Sequence, residues 1–295
     1  MSKAILFPGQ GSQHVGMGVD RYASNKIFKR RLDQADEAVD FDLKERMFNG
    51  PADELTRTDV TQPAIFVHSV ALYESEEIMA DRVAGHSLGE CSALVASGAL
   101  TFEEGLELVV LRGQLMQKAA NASEGTMAAI IGMDDEIVEA ICDEATDQTF
   151  KPVVAANYNS PGQIVISGDL KAVEMAVELA KGRGCRLAKL LPVGGAFHSP
   201  LMEPAAREFG KKLETLTFRK PECPVYCNVT ARPTRDPDEL QENLFRQLTS
   251  PVRWTQTILQ MEQDGAEQWV EVGPGKILQG LVKRTVKGAE YSGIE

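Results

Sequence analysis

Apolar residues along this chain follow two alternating patterns: short unbroken runs of strand length, and longer stretches in which they recur at helical spacing. The runs at 4–7, 82–86, 224–229 and 268–272 predict strands, and their alternation with amphipathic stretches predicts an α/β fold with a largely parallel sheet. Helix starts are marked chemically. Thr101 and Glu104 form a capping box, Ser199-Pro200 and Ser250-Pro251 place proline at a first helical position, and Asp236-Pro237 is followed by Glu239. Leu88 to Ala96 reads as a helix closed by Gly98, and 102–118 as another.

Residues 126–192 carry a different order. A strand at 127–131 leads to a helix near 134–146, strands near 152–157 and 163–167 joined by an Asn159-Ser160-Pro161-Gly162 turn, a helix at 169–182 and a strand at 186–191. This β-α-β-β-α-β order is that of a ferredoxin-like unit. The expected organisation is a large α/β subdomain from 1–124 and 194–295, with a small ferredoxin-like subdomain, 125–193, inserted in it.

A length of 295 residues with 43% hydrophobic and 25% charged residues is that of an ordinary globular protein with a sizeable core. No apolar run approaches the roughly 20 residues that span a bilayer, and Met1-Ser2-Lys3 passes straight into a strand without a signal-peptide pattern. A cytoplasmic protein is expected. The net charge of −12 argues against nucleic acid and membrane surfaces as partners, while leaving room for a local basic face toward one acidic partner. Two basic runs could provide it: Lys181, Arg183, Arg186 and Lys189, and Lys276, Lys283, Arg284 and Lys287. The five cysteines form no disulfide framework, and Cys223 with Cys227 lacks a second Cys or His pair, so no metal is expected.

The chemistry centres on Gly85-His86-Ser87-Leu88-Gly89, which fits G-x-S-x-G between a strand end and a helix. Such an elbow holds a serine clear of the backbone as a nucleophile, with the next residue's N–H, here that of Leu88, facing the developing oxyanion. A serine hydroxyl also needs a base. Of the four histidines, His68 lies in a helical pattern and reads as packed or exposed; His14 follows a glycine-rich loop without support as a base. His86 adjoins the serine and suits a supporting or substrate-contact role. His198 sits between the last strand of the small unit and a capped helix, a boundary that can deliver an imidazole to a cleft; the helix N-terminus there should keep it neutral. The first loop, Phe7 to Gln13, can present a backbone N–H at the sheet edge, but its G-x-G-x-x-G fails at His14, and no Walker-type loop exists. Arg112 falls beside Leu108, Val109, Leu115 and Met116 on its helix, so it either snorkels to water or pairs with an anion.

Five blocks, Phe7 to Gln13, Gly85 to Glu90, Leu111 to Met116, Ala196 to Ser199 and Glu271 to Gly275, together resemble the malonyl-CoA:acyl-carrier-protein transacylase family, in order over nearly the whole chain. The resemblance implies an α/β-hydrolase-like large subdomain and transfer of malonyl from malonyl-CoA to the phosphopantetheine thiol of holo acyl carrier protein, for fatty acid biosynthesis. It implies a malonyl ester on Ser87, His198 as base, oxyanion donors at the N–H groups of Gln10 and Leu88, and the backbone carbonyl of Gln247 orienting His198. It matches Arg112 to the arginine that binds the malonyl carboxylate, with His86, Met116 and Phe197 at the substrate. Phe197, in an Ala-Phe-His pattern, would exclude an α-methyl group by bulk. No cofactor is implied, malonyl-CoA being a substrate. Two rivals remain: a serine thioesterase or hydrolase of the α/β-hydrolase type, in which the histidine would lie late in the chain, and a non-catalytic scaffold for carrier proteins.

Overall fold

A computed structural model describes residues 2–295. Its larger sheet contains β1 (Lys3–Phe7), β2 (Arg82–Gly85), β7 (Val225–Tyr226), β8 (Pro233–Thr234), β9 (Gln268–Val272) and β10 (Glu290–Ile294), in the order β10-β9-β1-β2-β7-β8. All neighbours run parallel except β8, which closes the edge antiparallel to β7. The central strands are covered on both faces. Ile5, Phe7 and Val83 point into a core with Phe66, Leu94 and Val109, whereas Ala4, Leu6 and Ala84 point into a second core with Trp254, Ile258 and Leu281. Sandwiching between helices explains why these strands read as unbroken apolar runs. Helix Thr58–Ser75 is buried over most of its length, as befits a helix that is apolar all round.

The second sheet contains β3 (Gly125–Ile131), β4 (Val153–Ser160), β5 (Gln163–Asp169) and β6 (Leu187–Leu190), antiparallel throughout in the order β4-β5-β3-β6. Helices Asp135–Thr149 and Leu170–Gly182 share one core with this sheet, formed by residues such as Ile130, Ile141, Ile166 and Val173. From the other face, Met127 and Val165 join the core of the larger sheet.

Two expectations change. The strand expected over 224–229 stops at Tyr226, because the chain turns back toward β8 over 228–230, with Ala231 N–H on Cys227 O at 2.8 Å and the Asn228 N–H taken by the Glu90 carboxylate at 2.9 Å. Pro251 does not begin a helix: the helix runs Trp254–Gln263, and Val252 bridges to β4 instead. Its N–H donates to Ala156 O and its carbonyl accepts from Tyr158 N, at 2.8 and 2.9 Å. That bridge ties the segment before helix Trp254–Gln263 to β4. No helix among the described residues is long and apolar enough to cross a membrane.

Candidate active site

β2 ends at Gly85, and the helix Gly89–Ala96 starts almost at once, so the intervening turn is sharp. Ser87 sits there at a φ of 52°, a left-handed conformation that costs energy for a residue with a Cβ and needs support from its surroundings. The flanking glycines make the turn possible. A Cβ on Gly85 would lie 1.9 Å from the Gly89 carbonyl, and one on Gly89 would lie 2.1 Å from Phe7 O. Asn228 braces the turn from the end of β7: its Oδ1 accepts from Ser87 N at 2.7 Å and its Nδ2 donates to Gly85 O at 2.7 Å.

His198 reaches the serine from the far side, just before the short 3₁₀ turn Pro200–Met202. Its Nε2 lies 2.7 Å from Ser87 Oγ and its Nδ1 2.9 Å from Gln247 O, at the end of helix Pro237–Gln247. A carbonyl can only accept, so Nδ1 carries the proton and the Nε2 lone pair faces the serine hydroxyl. Burial, reinforced by the Arg112 charge, pulls the imidazole pKa down to about 3. Desolvation, rather than the helix-terminus effect read from the sequence, is the main cause. A reaction that uses this imidazole as base toward Ser87 should therefore show no loss of rate as pH falls through the ordinary imidazole range near pH 6.5. A pH profile of kcat/KM for reaction at Ser87 checks this, and an acid limb centred near pH 6.5 would contradict it.

Arg112, on helix Phe102–Ala122, does not snorkel: it is fully buried. Its Nη1 donates to Gln62 Oε1 at 2.8 Å, and its Nη2 to Gln247 Oε1 at 2.9 Å and to Ser87 Oγ at 3.1 Å. These partners are neutral, and Arg112 takes part in no salt bridge among the described residues. A buried guanidinium beside a serine hydroxyl, held only by neutral partners, has the charge and geometry to receive an anionic group.

A cavity of about 220 Å³ opens here, lined by Ser87, His198 and Arg112 together with Gln10, Leu88, His86, Met116 and Phe197. Gln247 lies behind it, touching Arg112 and His198. Neither the Gln10 nor the Leu88 N–H donates to a protein acceptor among the described residues. His86 is oriented by Asn159 Oδ1 at 2.8 Å and by the edge of Trp254, and burial lowers its pKa. The thioether of Met116 accepts from Gln62 Nε2 at 3.3 Å. The other histidines lie elsewhere: His14 pairs at the surface with Glu295 at 3.3 Å, and His68 is packed edge-on against Phe28.

Sequence reasoning missed Gln62, Asn228 and Asn159, and attached no role to Glu90. A lone carboxylate in the apolar stretch 88–96, and a lone amide between Val60 and Phe66, were the available signals for two of them. Of the two basic runs, the first is partly neutralised, with Lys181 paired to Glu178 at 2.8 Å and Arg183 paired to Glu144. The second flanks helix Ile277–Thr285, whose Ile277, Leu278 and Leu281 line the cavity. No cluster of three or more potential metal ligands occurs among the described residues.

The acyl transferase domain family matches residues 5–293. Over 288 residues the chain is 46% identical to a malonyl CoA-acyl carrier protein transacylase of Bacillus subtilis (strain 168), covering 96% of this chain and 90% of that protein. The structure of an acyl carrier protein S-malonyltransferase from Vibrio cholerae O1 superimposes with a TM-score of 0.95 at 43% identity, covering 100% of this chain and 97% of the other. A malonyl-transacylase solved in complex with its type II PKS acyl-carrier protein gives a TM-score of 0.95 at 38% identity, covering 100% and 96%.

Proposed function

This chain belongs to the acyl transferase family and, within it, to the malonyl CoA-acyl carrier protein transacylases; from that premise we propose that Ser87 is the group on which the malonyl unit is carried. The chain transfers malonyl from malonyl-CoA to the phosphopantetheine thiol of holo acyl carrier protein, supplying fatty acid biosynthesis in the cytoplasm. The supporting observation is the convergence of His198 Nε2 and Arg112 Nη2 on one oxygen, Ser87 Oγ, at 2.7 and 3.1 Å. A base and an anion receptor at the same hydroxyl suit an acyl group that carries a carboxylate. Residues 1–124 and 194–295 are assigned to the catalytic subdomain, and 125–193 to a small subdomain that supplies Asn159 and Gln163 to the cavity wall.

In the first half-reaction, His198 Nε2 takes the Ser87 proton while Oγ attacks the thioester carbon, and the Gln10 and Leu88 N–H groups receive the oxyanion. Collapse breaks the C–S bond, and His198 returns its proton to the departing thiolate of coenzyme A. Arg112 exchanges its contact with Ser87 Oγ for the malonyl carboxylate. In the second half, the carrier thiol gives its proton to His198 and attacks the ester, and Ser87 leaves as its oxygen is reprotonated. One thioester replaces another, so no energy source is required. The carrier approaches past helix Ile277–Thr285 with its Lys283 and Arg284, while Phe197 narrows the cavity against an α-methyl group. A hydrolase would take the same ester to water, a reading to which Arg112 adds nothing.

Initial rates measured with malonyl-CoA and holo carrier protein varied together should give parallel double-reciprocal lines, as a covalent shuttle requires. Intersecting lines would exclude it.

A further inference from the structure

Glu90 is a buried carboxylate, 1% exposed, that the transfer steps above leave without a task. It follows the elbow directly, and its Oε2 accepts from Asn228 N at 2.9 Å and from Gln247 Nε2 at 2.8 Å. The Gln247 amide faces two ways. Its Nε2 also donates to Ser87 O at 3.0 Å, while its Oε1 accepts from Arg112 Nη2 at 2.9 Å. Turned over, the amide would set its oxygen against two acceptors and its NH₂ against a guanidinium. Glu90, together with the Ser87 carbonyl, thus decides which end of Gln247 meets Arg112.

We propose that Glu90 is a positioning residue for acyl selectivity: by locking the Gln247 amide it keeps the Arg112 guanidinium at Ser87, where a carboxylate-bearing acyl group is received. The inference rests on the catalytic reading above. It carries a second consequence. A malonyl carboxylate adds a negative charge to a buried site that already holds one anion and one cation, so Glu90 and the acyl group compete for Arg112. Burial pushes the Glu90 pKa up to about 7, although its hydrogen bonds and Arg112 favour the ionised form. Other groups nearby hold their charge there. Burial lowers the Arg112 pKa, but a guanidinium stays protonated in proteins; burial raises the Cys91 thiol to about 12 and the Cys227 thiol well above its usual value, and His198 is neutral above about 3. The neutral form of Glu90 favours malonyl, so the malonyl preference should fall as pH rises through neutrality.

The test compares kcat/KM for Ser87 acylation by malonyl-CoA and acetyl-CoA between about pH 6 and about pH 8.5, bracketing the Glu90 titration, in the wild type, Glu90→Gln and Glu90→Ala. Taking the ratio cancels every pH effect common to the two substrates. The wild-type ratio should fall severalfold across this range; Glu90→Gln, which keeps an acceptor oxygen, should stay flat near the acid-side value. Glu90→Ala should lose about tenfold of the ratio at every pH. A wild-type slope retained by Glu90→Gln would overturn the proposal, as would a wild-type acid-side ratio in folded Glu90→Ala. Should Glu90→Ala fail to fold, the Glu90→Gln slope alone decides. Wild type that forms no malonyl adduct on Ser87 would defeat the catalytic reading itself; normal labelling with unaltered ratios in the variants defeats only the role of Glu90.

Discussion

Ser87→Ala should lower carrier malonylation by about 10⁴-fold or more, with no covalent adduct after exposure to malonyl-CoA. The substitution removes the atom on which His198 and Arg112 converge, so neither half-reaction has a place to begin. The elbow itself should survive. Asn228 holds the backbone N–H of residue 87 and Gln247 its backbone carbonyl, and neither contact uses the hydroxyl. A thermal melt close to that of wild type, measured with the rate, separates lost chemistry from lost structure. Transfer within about tenfold of wild type would mean that another group carries the acyl unit.

Arg112→Ala should narrow the preference for malonyl over acetyl by about 10- to 100-fold, the worth of one charge-assisted contact of roughly 1.5–3 kcal/mol. The malonyl rate should fall while the acetyl rate changes far less. The substitution also strips a donor from Gln62 Oε1 and Gln247 Oε1 inside the core, so lower stability is expected as well. For that reason the ratio of the two substrates is the informative quantity. Arg112→Lys keeps the charge but loses the planar fork and should fall between wild type and alanine. Equal ratios in wild type and Arg112→Ala would remove Arg112 from acyl recognition.

Much of this architecture was legible in the chain because local and tertiary demands agree. The run Ala4 to Phe7 is apolar at every position since both of its faces are covered, and Thr101 with Glu104 closes a capping box at the start of helix Phe102–Ala122. The elbow was legible for a similar reason: at Gly85 and Gly89 no Cβ fits, so the motif carries its own steric cause. Other features depend on distant partners. β7 is shortened to Val225–Tyr226 by a turn over 228–230, in which Glu90, far away in sequence, takes the Asn228 N–H. Pro251 carried a helix-start signal, but the backbone of Val252 is spent on β4. Glu90 and Gln62 looked like ordinary polar interruptions of apolar helices, and only the packing of helices Thr58–Ser75, Gly89–Ala96 and Phe102–Ala122 brings them to Gln247 and Arg112. The neutral state of His198 was expected for a local reason, the adjoining helix end, and is caused chiefly by a non-local one, burial.

The most direct test is the intact mass of the protein after brief mixing with malonyl-CoA, followed by addition of holo carrier protein or of buffer alone. The account predicts a gain of one malonyl group located on Ser87, discharged rapidly by the carrier thiol and only slowly by water. An adduct that water removes as fast as the carrier does, one that sits on another residue, or no adduct at all would contradict it.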